Sequence, residues 1–346
     1  MTGEYKTPVT PPESNQRVLF TPHNIVLITM WLLTTVSFVI MLFGGVRNTG
    51  QFRVVRNILQ TVYVLALFWY LIRTGPPVNL LPDLSPLILP KLSVGKLIPV
   101  IVIAFLLLTE FADQGVLMPL LMLATIWILI IWRREIGFPA VLLGLAVTAI
   151  AFLGGLPWIQ NQYIGKETFV VFLAFVMPMF VAGSLLSKRT GLPGSQLYNG
   201  HYKKAVSSFL WGCLLFIPLG LTNAAANSPG PYMTWVDRWW IPLSQPLFSG
   251  IVEEVLNRLF LVNLCYLLLR PLFSKRPAIA IVFAVLFSGI THGLGHGGTL
   301  LENFLITGLL YSVPMAVIFA RRDWEHAVGA HYMINMIPTL MVFLET

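Results

Sequence analysis

The 346-residue chain is 56% hydrophobic and 10% charged, with a mean hydropathy of +0.79 and 23 phenylalanines, a balance that excludes a water-soluble globule and describes an all-α, polytopic membrane protein. Its apolar runs are continuous rather than alternating over about ten residues, which excludes an outer-membrane barrel. The formal net charge of +8 falls in short clusters between those runs, so it speaks for orientation in a lipid bilayer and not for nucleic acid as a partner.

Residues 1–22 form a polar tail with Pro8, Pro11, Pro12 and Pro22, without the basic start, short apolar core and small-residue cleavage site of a signal peptide. The first helix is therefore expected to anchor itself. Runs of about 18 apolar residues predict spans at 24–44, 55–73, 97–111, 116–132, 137–155, 168–187, 205–222, 247–269, 277–295, 300–320 and 326–344, about eleven in all. Within 97–132, Glu110, Asp113 and Gly115 must make a tight turn, and 74–96, with five prolines, reads as an interfacial piece. Gly, Pro, Ser, Asn and Lys gather at 188–204. The expected organisation is thus the tail, an amino-terminal helical extension at 23–187, a polar linker at 188–204 and a core at 205–346.

Arg133 and Arg134, then Lys188, Arg189, Lys203 and Lys204, then Arg270, Lys275 and Arg276, then Arg321 and Arg322 occupy alternate loops. Those loops read as cytoplasmic, in the cell membrane, with the amino terminus inside; Arg47, Arg53 and Arg56 run against the pattern. Trp235, Trp239 and Trp240 would form an interfacial belt on the outer side. Cys213 and Cys265 lie within predicted spans and read as packing residues.

The stretch Pro246–Arg270 is long enough to cross a hydrocarbon core of about 30 Å, yet it holds Glu253, Glu254 and Arg258. Charges inside a span cost at least about 2.5–3.5 kcal/mol each and persist where they pair, face a cavity or do chemistry. Glu254 and Arg258 are four apart and can pair, while Glu253 points about 100° away toward another neighbour. The bland alternative is an internal ion-pair cluster that only fixes helix packing. Further along, one predicted span ends Phe287-Ser-Gly-Ile-Thr-His292-Gly-Leu-Gly-His296, and the last contains His331 and Asn335 on one face. A lone histidine on an apolar helix is more often a packing residue; three helices each bringing polar groups change that balance.

These three elements resemble the CAAX-protease and bacteriocin-processing intramembrane proteases, whose pattern is Glu-Glu-x-x-x-Arg, Phe-x-x-x-His and His-x-x-x-Asn. Glu253, Glu254 and Arg258 match the first, and His331 and Asn335 the third. In the second, His292 is kept, but Ser288 stands where the family prefers Phe; Asn257-Arg258-Leu259 also departs from the common Phe-Arg-Gly. The resemblance covers roughly 241–344. It implies that Glu253 and His292 polarise the attacking water, with Glu253 as general base, that His331 and Asn335 donate to the oxyanion, and that Arg258 neutralises and orients Glu254. Amide hydrolysis needs a base near the operating pH, and donors aimed at a developing oxyanion are worth about 2.7–4 kcal/mol each.

The expected activity is hydrolysis of a peptide bond in a peptide or membrane-protein substrate. No cofactor is expected. There is no His-Glu-x-x-His, and a divalent metal on His292, His296 and Glu302 is the weaker reading. A proton-coupled transporter would also place ionisable residues on neighbouring helices, but no inverted repeat is seen and the polar residues crowd one half. A non-catalytic binding protein on the same fold is the third reading, permitted by the departures at Asn257 and Ser288.

Overall fold

The computed structural model describes residues 21–43, 50–74, 117–160, 166–226, 238–274, 276–296 and 299–345. Among them the chain is helical, with no strand. The helices are α1 (Pro22–Phe43), α2 (Gly50–Thr74), α3 (Leu117–Ile131), α4 (Phe138–Gln160), α5 (Lys166–Thr190), α6 (Tyr202–Ala226) and α7 (Ile241–Glu254). A π-helical segment, Val255–Val262, continues α7 into α8 (Asn263–Leu269). After α9 (Pro277–Leu294), a single turn at Leu300–Glu302 and a second π-helical segment, Asn303–Ser312, lead into α10 (Val313–Arg321) and α11 (Trp324–Glu345).

Among the described residues, eight helices are long and apolar enough to cross a membrane, against the expected eleven or so. The predicted span 97–111 and the turn after it lie outside those residues, as does Trp235. The span at 116–132 forms only a short apolar helix, Pro119–Ile131. The stretch at 247–269 is helical throughout, as α7, the π segment and α8, but Glu253, Glu254 and Arg258 make it more charged than an ordinary span.

In lipid every backbone group must find a partner, so prolines inside spans announce where one is missing. Pro218 in α6 has no N–H for the carbonyl of Leu214, which instead accepts from the Trp31 indole of α1 at 2.8 Å. Beside it, the Tyr63 hydroxyl of α2 donates to the Leu215 carbonyl. Pro338 in α11 likewise frees the Ile334 carbonyl, which accepts from Asn223 Nδ2 at 3.1 Å. The freed carbonyls thus tie α1 to α6 and α6 to α11, and the Tyr63 hydroxyl ties α2 to α6.

Apolar helices gain no hydrophobic drive from one another in lipid, so close packing needs small residues. Where α6 and α11 run side by side in the same direction, a Cβ on Gly212 would collide with the His326 carbonyl, and one on Gly329 with the Phe209 carbonyl. Helix α7 lies antiparallel to α11, with Gln245 bonded to Thr339 (3.2 Å), Ser249 to Asn335 (2.8 Å) and Glu254 to His331 (2.8 Å).

One end of the bundle carries the cations. Arg321 donates to the carbonyls of Leu71 and Ile72, and Arg322 to the Thr74 hydroxyl at 2.7 Å, closing the carboxyl end of α2. Arg189 meets Glu135. Residues 191–201 are held there by Glu325, buried at the start of α11, whose carboxylate accepts from Ser195 Oγ (2.6 Å) and from the amides of Gln196 and Leu197 (2.9 Å each). Asp323 caps α11, accepting from the His326 amide at 2.9 Å and from Ser208 Oγ at 2.8 Å.

Candidate active site

The cluster is built where α7 and its π segment meet α9 and α11. Glu254 and Arg258 are both fully buried and face each other one helical turn apart, Oε2 to Nε at 3.2 Å. The other oxygen of Glu254 lies 2.8 Å from His331 Nδ1. Arg258 reaches across to α9, Nη1 to His292 Nδ1 at 2.7 Å, and to the end of the second π segment, where Nη2 donates to Ser312 Oγ (2.7 Å) and to the Ser312 carbonyl (3.1 Å). π segments widen one turn of a helix and gather at functional sites; here one carries Arg258 and the other Ser312.

Glu253 points away from this ion pair. Its Oε2 lies 2.7 Å from His292 Nε2 and 3.7 Å from His331 Nε2, and about a third of its side chain is exposed. The two adjacent glutamates therefore have different environments: Glu254 is a sealed counter-ion, and Glu253, partly exposed, meets two imidazoles through a buried oxygen.

Donor and acceptor chemistry fixes one proton. A guanidinium has only donors, so His292 Nδ1 must accept from Arg258, and the neutral ring then carries its proton on Nε2, facing Glu253. His296 stacks on His292 with ring centroids 4.9 Å apart, and its Nδ1 lies 2.9 Å from the His292 carbonyl. Ligand atoms of Glu253, His292 and His296 fall within 4.8 Å of one another. A metal ion there would need His292 Nε2 bare, which the guanidinium on the opposite nitrogen opposes. Glu302, weighed as a third ligand, is occupied elsewhere: it closes a capping box with Thr299.

Of the six residues singled out from the sequence, Glu253, Glu254, Arg258, His292 and His331 converge directly. Asn335 stands one turn beyond His331, and its amide donates to Ser249 Oγ at 2.8 Å. The two departures from the family pattern touch each other: Ser288 Oγ donates to the Asn257 carbonyl at 2.6 Å, and Asn257 Nδ2 donates to the Glu253 carbonyl at 3.0 Å. Ser249 and Ser312 carry no sequence signal, since each is a single hydroxyl in an apolar helix. The end of α9 is pressed onto the second π segment, for a Cβ on Gly293 would strike the backbone of Gly308 and Asn303, and Asn303 Nδ2 donates to the His296 carbonyl at 2.5 Å.

Among the described residues the protein is helical and gathers two carboxylates, a guanidinium and imidazoles at one place, the kind of cluster that marks a functional site in a membrane span. Residues 234–337 match the family model described as type II CAAX prenyl endopeptidase Rce1-like, and the match spans all three motifs. That segment is similar to the CAAX proteases, as its motifs imply, and the similarity supports a membrane protease that acts on peptide bonds. No curated protein and no solved structure matches the chain.

Proposed function

We propose that this protein is an intramembrane endopeptidase in which Glu253 activates water against a peptide carbonyl. The observation that carries the reading is the division of labour between neighbours: Arg258 pairs with Glu254, while Glu253, partly exposed, is left between His292 Nε2 and His331 Nε2. Glu253 takes a proton from water as the oxygen bonds to the carbonyl carbon, and the carbonyl electron pair moves onto its oxygen. His331, held through Nδ1 by Glu254, offers Nε2–H to that oxyanion when protonated, and Asn335 retains an amide hydrogen beyond the one given to Ser249. Glu253 then passes its proton to the departing amine as the C–N bond breaks. His292 holds Glu253 in place rather than acting as a base, because its Nε2 already carries a proton.

The alternating loop charges put Glu253 roughly 10 Å below the outer surface, about seven residues beyond Pro246. That placement favours peptide and membrane-precursor segments over prenylated cytoplasmic tails as substrates. The test is cleavage by purified protein of a pool of peptides and membrane precursors, together with a farnesylated CAAX-ended peptide, with and without a strong chelator. Loss of cleavage in Glu253→Ala but not with chelator is expected. Cleavage retained in a folded Glu253→Ala variant, or no cleavage by the wild type, overturns the reading.

A further inference from the structure

We propose that Ser312 is a positioning residue of this site, acting through Arg258 to set which nitrogen of His292 carries the proton; its catalytic consequence rests on the reading of Glu253 as base. The Arg258 guanidinium meets three elements, through hydrogen bonds at Nη1 and Nη2 and through ion-pair proximity alone at Nε. Nε faces Glu254 on its own helix (3.2 Å), Nη1 meets His292 Nδ1 on α9 (2.7 Å), and Nη2 meets Ser312 (Oγ 2.7 Å, carbonyl 3.1 Å). Arg258 is fully buried, and Ser312 and His292 are buried with it.

Left to itself, a guanidinium beside a carboxylate settles into the bidentate fork in which two N–H groups serve both oxygens. Here it does not: one oxygen of Glu254 faces Nε and the other faces His331. Ser312 supplies the competing acceptors that hold the plane turned, so that Nη1 is spent on His292 instead. With Nη1 on Nδ1, the His292 proton stays on Nε2, the nitrogen 2.7 Å from the Glu253 carboxylate. Without the hydroxyl, the guanidinium can swing toward Glu254, Nδ1 becomes free to take the proton, and a bare Nε2 then faces Glu253 and competes for the proton the base must accept. The wide turns at Val255–Val262 and Asn303–Ser312 are the backbone device that brings the two residues together.

The test uses full-length protein in detergent micelles with 15N-labelled histidine, the His292 signals being identified by their loss in His292→Gln. Wild type should show His292 as one neutral tautomer with Nε2 protonated. Ser312→Ala should mix the two tautomers, and Ser312→Thr, which keeps the hydroxyl, should restore the first. On whichever probe of the cleavage pool is hydrolysed, kcat should fall about tenfold in Ser312→Ala at unchanged KM and recover in Ser312→Thr, the loss expected from one hydrogen bond to a charged group. A wild-type His292 protonated on Nδ1, a tautomer unmoved by Ser312→Ala, or a moved tautomer with an unchanged kcat would each overturn the proposal. Should Ser312→Ala unfold, Ser312→Cys replaces it, since a thiol of similar size is a far weaker acceptor for the guanidinium; an unmoved tautomer there would overturn it equally. The spectra need no turnover, so a protein that cleaves nothing sinks the protease reading and leaves the tautomer result to stand or fall by itself.

Discussion

Glu253→Gln and Glu254→Gln change the same atom in adjacent residues and should behave as opposites. Glu254 and Arg258 are both fully buried, 3.2 Å apart, and removing one member of a buried pair strands the other charge at a cost of about 3–5 kcal/mol. Glu253 is about a third exposed and faces imidazoles rather than the guanidinium, so its amide should cost less than about 1 kcal/mol. Against a total stability of about 5–15 kcal/mol, the first loss corresponds to a fall in melting temperature on the order of 5–10 °C. The molecule carries its own probe. Cys213 and Cys265 are free thiols, one buried and one partly so, and a thiol-reactive dye reports their exposure as micelle-embedded protein unfolds. Glu253→Gln should melt with the wild type and cleave nothing; Glu254→Gln should melt early. Equal melting temperatures for the two variants would refute the assignment of Glu254 as the structural counter-ion.

Asn223→Leu should destabilise by about 0.6–1.7 kcal/mol, read in the same melting assay, because it removes the donor to the carbonyl freed by Pro338. At the cationic end, burial works to raise the Asp323 carboxyl, but the hydrogen bond and charge of His326, with the His326 amide and Ser208, outweigh it and hold that carboxyl below the usual aspartate range. A depressed folded pKa contributes stability above the unfolded value, about 3.9, and loses it as pH falls through the folded value. The wild type should therefore lose melting temperature below about pH 4, whereas Asp323→Asn, which keeps a good cap without the charge, should show a flatter acid limb.

The sequence made the centre of the site readable because its geometry is local. Spacing of four paired Glu254 with Arg258, and the 100° offset turned Glu253 elsewhere. What escaped it depends on contacts across helices. No periodicity links Ser312 to Arg258, 54 residues away, or Trp31 to Leu214, 183 residues away, although the carbonyl left by Pro218 was itself inferable from the proline. The departures at Asn257 and Ser288 read as separate losses along the chain, while in space they are one contact at 2.6 Å. At 247–269 the charges that made the stretch stand out also set it apart from the more uniformly apolar spans, and they are tolerated through partners on α9 and α11.

The borrowed carbonyls of α2 have a bearing on ancestry. Residues 234–337 match the family model, but Arg321 and Arg322 within them are spent on the end of a helix near residue 74, Glu325 is spent on residues 195–197, and the backbone of Leu259 abuts Gly183. A recombination that moved the signature stretch to another gene would carry two cations and a buried anion away from their companions. The amino-terminal helices should therefore descend together with the signature, changing in step with it at these contacts, rather than being exchanged among relatives as interchangeable attachments.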